Sequence, residues 1–389
     1  MQENYKLVVI SDLHVTSNDK IIDGIPLNYV LISNAINHIM DIEHPDILII
    51  NGDIIDNVNK IDVPTISFLN LLIYSISQKC PVYINTGNHD IIESGYNNDT
   101  LSSISNVLTI FNGLHNVYTI KKPTKVNILD SLFLYFIPYT KNIDMLIESI
   151  NQYHIEDFGY HLIFGHTDID FIDEEITHMK GMKNFPYKIL KSKFDAYKYQ
   201  SLWGHYHIGK EYPNYNLKII SSLSPTNFGD ESKIDNIHDI ETNYNHGYYV
   251  IEFENTNNVK YIFKPNPIGK RFISLNETHI LDESDCAFLL DYIKSNKDMY
   301  FNIRVHCNME NVEEIKNKLS AIYTWNNIMQ IQIIPINANV NVDMSHNISH
   351  LDITTENIYD ILIDEIGKFV DDTNIDKYTK YLKKLIQKI

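Results

Sequence analysis

The sequence predicts an α/β fold, because short apolar runs and helical patterns alternate along its first half. Leu7–Ile10, Ile47–Ile50 and Val82–Ile84 are apolar runs of the kind that form buried strands. Between these runs, apolar residues recur at helical spacing, from Leu31 to Met40 and from Ile66 to Ile76. Such an alternation of strands and helices favours parallel strands joined by crossover helices.

Beyond residue 130, the chain is predicted to form short strands separated by clusters of Asn, Gly and Pro. The runs that predict these strands are Leu132–Ile137, Leu162–Phe164, Ser201–Trp203, Lys218–Ile220, Tyr248–Phe253 and Val259–Phe263. This strand-rich region ends near Pro265–Pro267, so residues 1–266 are predicted to form one domain.

The rest of the chain is predicted to form a smaller domain and a helical tail. Residues 267–338 contain a helical pattern near Val312–Ile322 and a strand near Ile328–Ile334, which indicates a small α+β domain. Residues 339–350 are polar and predict a linker. Residues 351–389 predict two amphipathic helices, and lysines surround the second one. The lysine-flanked surface of the second helix is suited to contact a partner protein, solvent or DNA phosphates.

The acidic composition narrows the classes of function. The chain has 50 acidic and 32 basic residues, which gives a formal net charge of −18. A protein that holds DNA by charge alone should be basic, so this balance argues against that class. It argues less against a protein that recruits divalent metals, because the ions bring their own positive charge.

The cysteines and the hydropathy pattern predict a cytoplasmic protein. Cys80, Cys286 and Cys307 are far apart and odd in number, so we expect neither a disulfide framework nor a cysteine-type zinc site. The N-terminal residues are too polar for a signal peptide, and the apolar runs are too short to span a bilayer. We therefore expect a soluble protein in a reducing, intracellular compartment.

Five predicted strand ends carry side chains of the kinds that bind metals. They are Asp12-x-His14, Gly52-Asp53-x-x-Asp56, Gly87-Asn88-His89-Asp90, Gly165-His166 and Gly204-His205-x-His207. Ligands bind outside the carboxyl ends of the strands in α/β sheets, so we expect these groups to converge in one cleft. Carboxylate, imidazole and amide groups without a thiolate suit Mn²⁺, Fe²⁺ or Zn²⁺. The glycines before four of these groups fit tight turns where the backbone leaves a strand sharply.

Each motif alone would be weak evidence, because a single histidine at a strand end is more often a structural residue that makes hydrogen bonds. The set of five, in this order and each after a strand, resembles the calcineurin-like metallophosphoesterase superfamily. Within it, the chain resembles the SbcD-type DNA-repair nucleases, most closely the recombination endonuclease subunits of T-even bacteriophages. Two more stretches carry the likeness to the phage type, Lys180–Lys183 and Ser222–Pro225 followed by Gly229–Glu231.

This resemblance covers residues 5–231 and implies a fold, a cofactor and roles for single residues. The fold would be a two-sheet α/β/β/α sandwich with a small α+β cap and C-terminal helices. The cofactor would be two divalent ions, most often Mn²⁺, with Mg²⁺, Fe²⁺ or Zn²⁺ as alternatives. One ion would be held by Asp12, His14, Asp53 and His207. The other would be held by Asp53, Asn88, His166 and His205, with Asp53 as the bridge.

Three further residues of the motifs have implied roles close to the metals. His89 would serve as the general acid, or stabilise charge, at the leaving oxygen. Asp56 would orient the His89 imidazole, unless it only caps its own loop. Asp90 is expected to cap the turn that follows it. Cellular SbcD-type nucleases often have histidine at position 56, whereas the phage type has aspartate, so the balance of endonuclease and exonuclease activity stays open.

The resemblance implies a DNA endonuclease or exonuclease that acts in recombination and repair. Its partner would be an SbcC-type coiled-coil ATPase docked on the C-terminal helices, and the chain would form a homodimer. The cap would help to orient DNA. Because the chain is acidic, the ATPase would contribute much of the grip on DNA.

Three other functions compete with the nuclease as explanations of the motifs. A protein phosphatase is unlike this chain, because Asp56-Asn57-Val58 and Asn88-His89-Asp90 stand where that class has Asp-Arg-Gly and Asn-His-Glu. A nucleotide phosphodiesterase with a small substrate stays open, although it has no evident need for a cap and a tail. A non-catalytic scaffold predicts at least one missing ligand, and none is missing.

Overall fold

The computed structural model describes residues 4–92, 106–140, 159–169, 172, 200–230 and 234–336. These residues belong to one compact unit that ends at Ile336. The predicted linker and helical tail, together with Lys180–Lys183 and Glu231, lie outside the described residues. Within the described ranges, no helix is long and apolar enough to cross a membrane.

The secondary structure alternates between strands and helices in the first part of the chain and again after residue 269. The strands are β1 (Tyr5–Ile10), β2 (Ile21–Ile22), β3 (Ile25–Pro26), β4 (Ile47–Asn51), β5 (Val82–Asn85), β6 (Val117–Ile120), β7 (Thr124–Leu129), β8 (Leu132–Ile137), β9 (Tyr160–Gly165), β10 (Ser201–Trp203), β11 (Lys210–Tyr212), β12 (Leu217–Ile219), β13 (Gly247–Asn255), β14 (Asn258–Pro265), β15 (Gly269–Asn276), β16 (Met299–Asn308) and β17 (Ile328–Ile336). The α-helices of the described residues are α1 (Leu27–Glu43), α2 (Val63–Ser77), α3 (Thr278–Leu281), α4 (Glu283–Ser295) and α5 (Val312–Leu319).

Two six-stranded sheets form the first part of the structure. The first sheet has the order β14-β13-β1-β4-β5-β6, and β1, β4, β5 and β6 run parallel. The second sheet has the order β11-β12-β10-β9-β8-β7, with β8, β9, β10 and β12 parallel. The mixed α/β fold predicted from the sequence is therefore confirmed.

The two sheets pack face to face, and helices cover the outer face of the first sheet. Successive residues of a strand point to opposite faces. Leu7 of β1 accordingly joins an apolar cluster with Leu134 and Phe136 of the second sheet. Its neighbour Val8 joins a different cluster that contains residues of α1 and α2. Both faces of β1 are thus buried, which explains its continuous apolar run.

The two predicted helices of the first part form, and each has a clear boundary signal. The Asp62 side chain caps α2, because it accepts a hydrogen bond of 2.9 Å from the amide of Thr65. Pro64 lies in the first turn, where its missing N–H costs nothing. At the other boundary, α1 ends at Glu43, and His44 caps it in a left-handed conformation with φ of 45°.

A third sheet with its own core follows the sandwich. It contains β15, β16 and β17 in parallel. Its apolar residues pack against α4 and α5 in a cluster separate from those of the two larger sheets. Asp282 caps α4 by accepting hydrogen bonds from the amides of Ser284 and Asp285. The domain boundary placed at residue 266 stays a prediction.

Candidate metal centre

The five predicted motifs all lie at one end of the two packed sheets. Each of them follows the carboxyl end of a strand, namely β1, β4 and β5 in the first sheet and β9 and β10 in the second. The three strands of the first sheet are parallel neighbours, and so are the two strands of the second. Parallel neighbours end at the same side, so the fold brings the motifs together.

Hydrogen bonds hold the loops of these motifs beside one another. The amide of Asp12 donates to the carbonyl of Gly52 at 3.1 Å, and the amide of His14 donates to that of Asp53 at 3.1 Å. The side-chain amide of Asn51 donates to the carbonyl of Gly165 at 2.9 Å, which ties the first sheet to the second. The protein backbone therefore fixes the loops independently of any ligand.

Left-handed backbone conformations are concentrated at the predicted ligands. Asp12, His14, Asp53, His205 and His207 all have positive φ, between 46° and 86°. Residues with a Cβ rarely adopt this region, and each such residue costs on the order of 1–3 kcal/mol. The fold keeps this strain where it aims side chains into the cluster, which is typical of functional sites.

The glycines of the motifs are also needed for close packing, which the sequence did not reveal. Gly52 has a φ of 91°, as a tight turn requires, and a Cβ there would lie 2.1 Å from His166 Nδ1. Gly87 and Gly204 have no left-handed conformation, but a Cβ would lie 2.1 Å from Asp53 Oδ1 or 2.3 Å from Ser11 Oγ. A positive φ is therefore found only at Gly52 among these three.

The first group of metal-type side chains joins Asp12, His14 and His207, whose ligand atoms lie within 4.8 Å of one another. The Nε2 atoms of His14 and His207 are 2.9 Å apart. Asp12 Oδ1 lies 4.0 Å from His14 Nε2 and 3.9 Å from His207 Nε2. Two imidazoles and one carboxylate that converge in this way suit a divalent transition-metal ion.

The second group joins Asp53, His166 and His205 on the same criterion. Asp53 Oδ2 lies 3.2 Å from His166 Nε2 and 3.9 Å from His14 Nε2, so this carboxylate stands between the two groups. Asn88 Oδ1 lies 2.9 Å from His205 Nδ1. The structure thus brings every predicted ligand residue into one cluster. Which ion each residue holds stays a prediction.

His89 lies against the first group and has a fixed ring orientation. Its ring is perpendicular to that of His14, with 4.9 Å between centroids. Its Nδ1 donates a hydrogen bond to the backbone carbonyl of Asp56, which leaves Nε2 for a proton or a metal. His14, Asp53 and His89 also form a third group of converging ligand atoms. The geometry therefore allows His89 either role, acid or ligand.

The orienting contact from Asp56 comes from its main chain and not, as predicted, from its carboxylate. The Asp56 carboxylate instead lies 3.9 Å from His14 Nδ1, and the side chain is 53% exposed. The side chain at position 56 thus does not determine the contact to His89. An aspartate or a histidine there would present the same carbonyl.

Asp90 joins two of the loops and does more than cap its own turn. The side chain is buried, and its Oδ1 accepts hydrogen bonds from the amides of Ile54 and Ile55. Its Oδ2 accepts a hydrogen bond of 2.8 Å from the amide of Gly87. Burial, together with the nearby charge of Asp53, raises the pKa of Asp90 to about 7.

Sequence reasoning missed two carboxylates that contact the histidines of the cluster. Asp230 Oδ1 lies 3.3 Å from His207 Nδ1, and Asp168 Oδ1 lies 2.9 Å from His205 Nε2. Carboxylates behind metal-binding histidines orient the ring and fix its tautomer. Asp168 stands two places after His166, and Asp230 lies in Gly229–Glu231, so both were within or beside motifs already singled out.

A buried nitrogen without a hydrogen-bond partner shows that the cluster fits a cation. His166 Nδ1 donates to the carbonyl of Asn51 at 2.7 Å, so Nε2 is the nitrogen that would offer its lone pair to a metal once it has lost its proton. Nε2 is buried and has no hydrogen-bond partner, although it lies near the Asp53 carboxylate. A divalent ion would satisfy the nitrogen and the carboxylate together.

The charges of the cluster shift its pKa values in opposite directions. Burial lowers the pKa of His14 to about 4, so this imidazole is neutral. Burial would also lower that of His166, but the charges of Asp53 and Asp12 outweigh it and raise the pKa to about 10. Burial acts to raise the pKa of Asp53, but the charge of His166 outweighs it, so this pKa is lowered. One proton thus sits at the position that a metal cation would take.

Comparison with known proteins shows to which family the chain belongs. The model of the family described as calcineurin-like phosphoesterase matches residues 5–323, which is most of the chain. No curated protein matches the sequence.

Solved structures that resemble the chain include two phosphatases. A purple acid phosphatase from yellow lupin (Lupinus luteus) seeds is 13% identical, with a TM-score of 0.41, over 68% of this chain and 52% of its own. This chain thus spans about half of the lupin protein. A dimetal phosphatase from Danio rerio is 11% identical, with a TM-score of 0.37, over 67% and 99%. A hypothetical protein from Thermus thermophilus is 11% identical, with a TM-score of 0.33, over 67% and 100%.

Proposed function

The chain belongs to the calcineurin-like phosphoesterase family and is a metal-dependent phosphoester hydrolase, and from that premise we propose that it is a two-metal DNA nuclease of the SbcD type. Its substrate is the phosphodiester bond of DNA, and its metal is Mn²⁺. One observation carries the proposal. The Asp53 carboxylate lies between two groups of metal-type side chains, and His89 stands beside them.

The residues of the cluster are suited to hold two ions in a fixed geometry. Two divalent ions, when bound, supply Lewis-acid chemistry at the phosphate and generate the nucleophile at neutral pH. The carbonyl of Asn51 holds His166, while Asp168 holds His205 and Asp230 holds His207. These contacts restrain the imidazoles, so little reorganisation is needed when ions and substrate bind.

His89 is the residue that protonates the leaving oxygen. One of its protons is engaged at Nδ1 by the carbonyl of Asp56. In the imidazolium form, Nε2 carries the second proton and can donate it to the oxygen that leaves phosphorus. The Asp53 carboxylate supports this arrangement, because it accepts a hydrogen bond of 2.8 Å from the amide of His89.

The enzyme works as the nuclease subunit of a larger complex. An SbcC-type coiled-coil ATPase binds the predicted C-terminal helices, and the third sheet and its helices orient DNA over the metal site. The net charge of −18 supports this division of labour, because a chain this acidic gains little from phosphate contacts of its own.

The chain also forms a homodimer through its phosphoesterase domain. Support comes from α2, where Val63, Leu71 and Tyr74 are 75%, 69% and 51% exposed. At about 100° per residue these positions fall on one side of the helix, which presents an apolar face. An apolar face of this kind is suited to a second copy of the chain.

The nuclease is tested with end-labelled linear DNA, Mn²⁺ and three proteins, the wild type, His89→Gln and His115→Gln. His115 is exposed and far from the motifs in sequence, so it provides the matched control. We expect the wild type and the control to degrade DNA. Loss of the general acid should slow His89→Gln about 10²–10⁴-fold.

A parallel assay with bis(p-nitrophenyl) phosphate separates the nuclease from a small-substrate phosphodiesterase. Hydrolysis of this ester but not of DNA, even after addition of the ATPase, would overturn the nuclease and favour the small-substrate enzyme. Hydrolysis of neither compound, with metal bound, would favour a scaffold. Full DNA cleavage by His89→Gln would refute the acid role of His89.

A further inference from the structure

A cavity of about 210 Å³ opens beside the metal cluster. Its walls include His14 and Asp56, so the cavity begins at residues that belong to the cluster or contact it. From there it extends between α1 and the segment that joins β14 to β15. A second cavity of about 120 Å³ shares Asp56 with it, so the space continues along the surface.

One wall of the cavity, its floor, is apolar, whereas polar and charged side chains form much of the rest. Its lining contains Leu13, Leu31, Ile32, Ala35, Leu223 and Ile268. Most of these side chains are buried in the core of the first sheet and α1, so they form a firm floor. A floor of this kind suits the face of a flat, weakly polar ring, and the polar walls suit its edges.

Two asparagines of the walls are already engaged in the protein. Asn28 Oδ1 accepts a hydrogen bond of 3.0 Å from the amide of Thr16. Asn266 Nδ2 donates to the carbonyls of Leu223 and Ile268 at 2.9 and 2.6 Å. These bonds fix the walls in place, so binding would require little ordering of the protein.

The one lysine of the lining is also engaged. Lys270 Nζ forms an ion pair of 2.7 Å with Asp19, and the Lys270 side chain is 17% exposed. A cation neutralised by a carboxylate in this way offers little to an anion. The cavity is therefore not a second phosphate site.

The size of the cavity limits its ligand to one ring system. Pockets that bury a drug-sized ligand have about 300–1,000 Å³, and this cavity is smaller. It is nevertheless much larger than the roughly 30 Å³ that one water occupies. A single heterocyclic base matches this size and the apolar floor.

We propose that this cavity is a nucleoside subsite, which takes the base of one nucleotide next to the phosphate held at the metal cluster. The inference rests on the proposed function for the phosphate itself, and it adds the part of the substrate that the enzyme recognises. His14 connects the two places, because it lines the cavity and belongs to the cluster. Apolar contact to the base adds affinity that a bare phosphate lacks.

The test compares the binding of thymidine 5′-monophosphate and inorganic phosphate to the Mn²⁺-loaded protein by titration calorimetry. Both probes carry a phosphate, so the ratio of their Kd values isolates the nucleoside. We expect the nucleotide to bind at least about tenfold more tightly, or 1.4 kcal/mol. Equal affinities for the wild-type protein would overturn the inference.

Two matched variants locate the effect. Ala35→Leu places a larger side chain in the cavity floor, whereas Ala287→Leu makes the same change at an exposed position of α4. We expect the nucleotide advantage to fall about tenfold in Ala35→Leu and to persist in Ala287→Leu. An unchanged advantage in Ala35→Leu would overturn the assignment of the cavity.

Ile268→Ala provides a second variant should the first fail to fold, because it removes apolar contact from the opposite wall. We expect it to reduce the nucleotide advantage about threefold, and no reduction would count against the subsite. Hydrolysis of the p-nitrophenyl ester of thymidine 5′-monophosphate is measured separately. Absence of hydrolysis of both this ester and DNA, even with the ATPase added, would refute the proposed function, while the binding ratio would still decide the subsite.

Discussion

The chemistry of the cluster depends on single residues that lie behind the candidate ligands. Asp230 contacts His207 from the side opposite the cluster. Burial acts to raise the pKa of Asp230, but His207 outweighs it, so this pKa is lowered. His246 supports Asp230 in turn, because its Nε2 donates to the Asp230 carbonyl at 3.0 Å. Contacts of this kind fix the orientation of a histidine ring, so that one defined ring nitrogen faces the site.

The first prediction concerns Asp230→Asn and Asp168→Asn. Each variant replaces a carboxylate that orients a histidine, and we expect each to weaken Mn²⁺ binding about 10–100-fold. The affinity is measured by titration calorimetry, with Asp298→Asn, at an exposed position, as the control. Wild-type affinity in both variants would mean that these carboxylates do not position the ligands.

The second prediction concerns the protons that the protein releases when it binds Mn²⁺. Because the pKa of His166 is raised to about 10, this side chain carries a proton at pH 7 in the metal-free protein. A ligand histidine must be neutral, so Mn²⁺ binding should release about one proton, and the Mn²⁺ affinity should fall as the pH falls. Calorimetry in buffers of different ionisation enthalpy counts the protons released. Heats that do not depend on the buffer would contradict the prediction.

At the scale of elements, the loops that follow the strands determine the geometry of the site. The loops after β1 and β4 are joined by backbone hydrogen bonds, and Gly52 lets His166 of the second sheet approach closely. The site therefore depends on the fit between the two sheets and not on one loop.

Gly52→Ala tests this fit, with Gly113→Ala as its matched control. Both glycines have positive φ, 91° and 93°, but only at Gly52 would a Cβ meet another side chain. Gly113→Ala should cost about 1–2 kcal/mol of unfolding free energy, the cost of a left-handed alanine. Gly52→Ala should cost more and also weaken Mn²⁺ binding. Equal effects on stability and no effect on binding would contradict the prediction.

The exposed face of α2 leads to a prediction about assembly. Leu71→Lys places a charge in the apolar face, so we expect the proposed homodimer to dissociate to monomers in sedimentation velocity experiments. Ile42→Lys on α1, which is 53% exposed, is the control and should stay dimeric. A monomeric wild type, or a dimeric Leu71→Lys, would remove α2 as the interface.

At the scale of the whole molecule, the sequence was sufficient for elements that are buried on both faces. The predicted bounds of β8 and β10 are correct, because every residue of both strands is buried and β8 is an unbroken apolar run. The strand predicted at Lys218–Ile220 is shifted by one residue from β12, because buried Ile220 continues the apolar pattern past the ladder.

The strands that the sequence did not reveal share a mixed pattern. β7 has half-buried and exposed residues in alternation and lies at the edge of its sheet. β15 and β16 interleave polar residues with buried ones, and these polar residues obscure the apolar run. Sequence patterns identify strands by apolar residues, so edge strands and strands covered on one face are missed.

For the site, the sequence predicted which residues come together but not how they are held. The order of the motifs after the strands was enough for the cluster itself, because strand ends converge in this fold. The contacts from Asp168 and Asp230 depend on how far apart the loops lie in the folded protein. No residue spacing in the sequence encodes that distance. The same holds for the main-chain carbonyl of Asp56.

The most direct test of the account is the anomalous scattering of crystals grown with Mn²⁺. We expect two Mn²⁺ peaks on either side of the Asp53 carboxylate, about 3.5–4 Å apart, as in two-metal hydrolases. Asp12, His14 and His207 should surround one peak, and Asn88, His166 and His205 the other. A single peak, or a peak with His89 as a ligand in place of the predicted residues, would contradict the account.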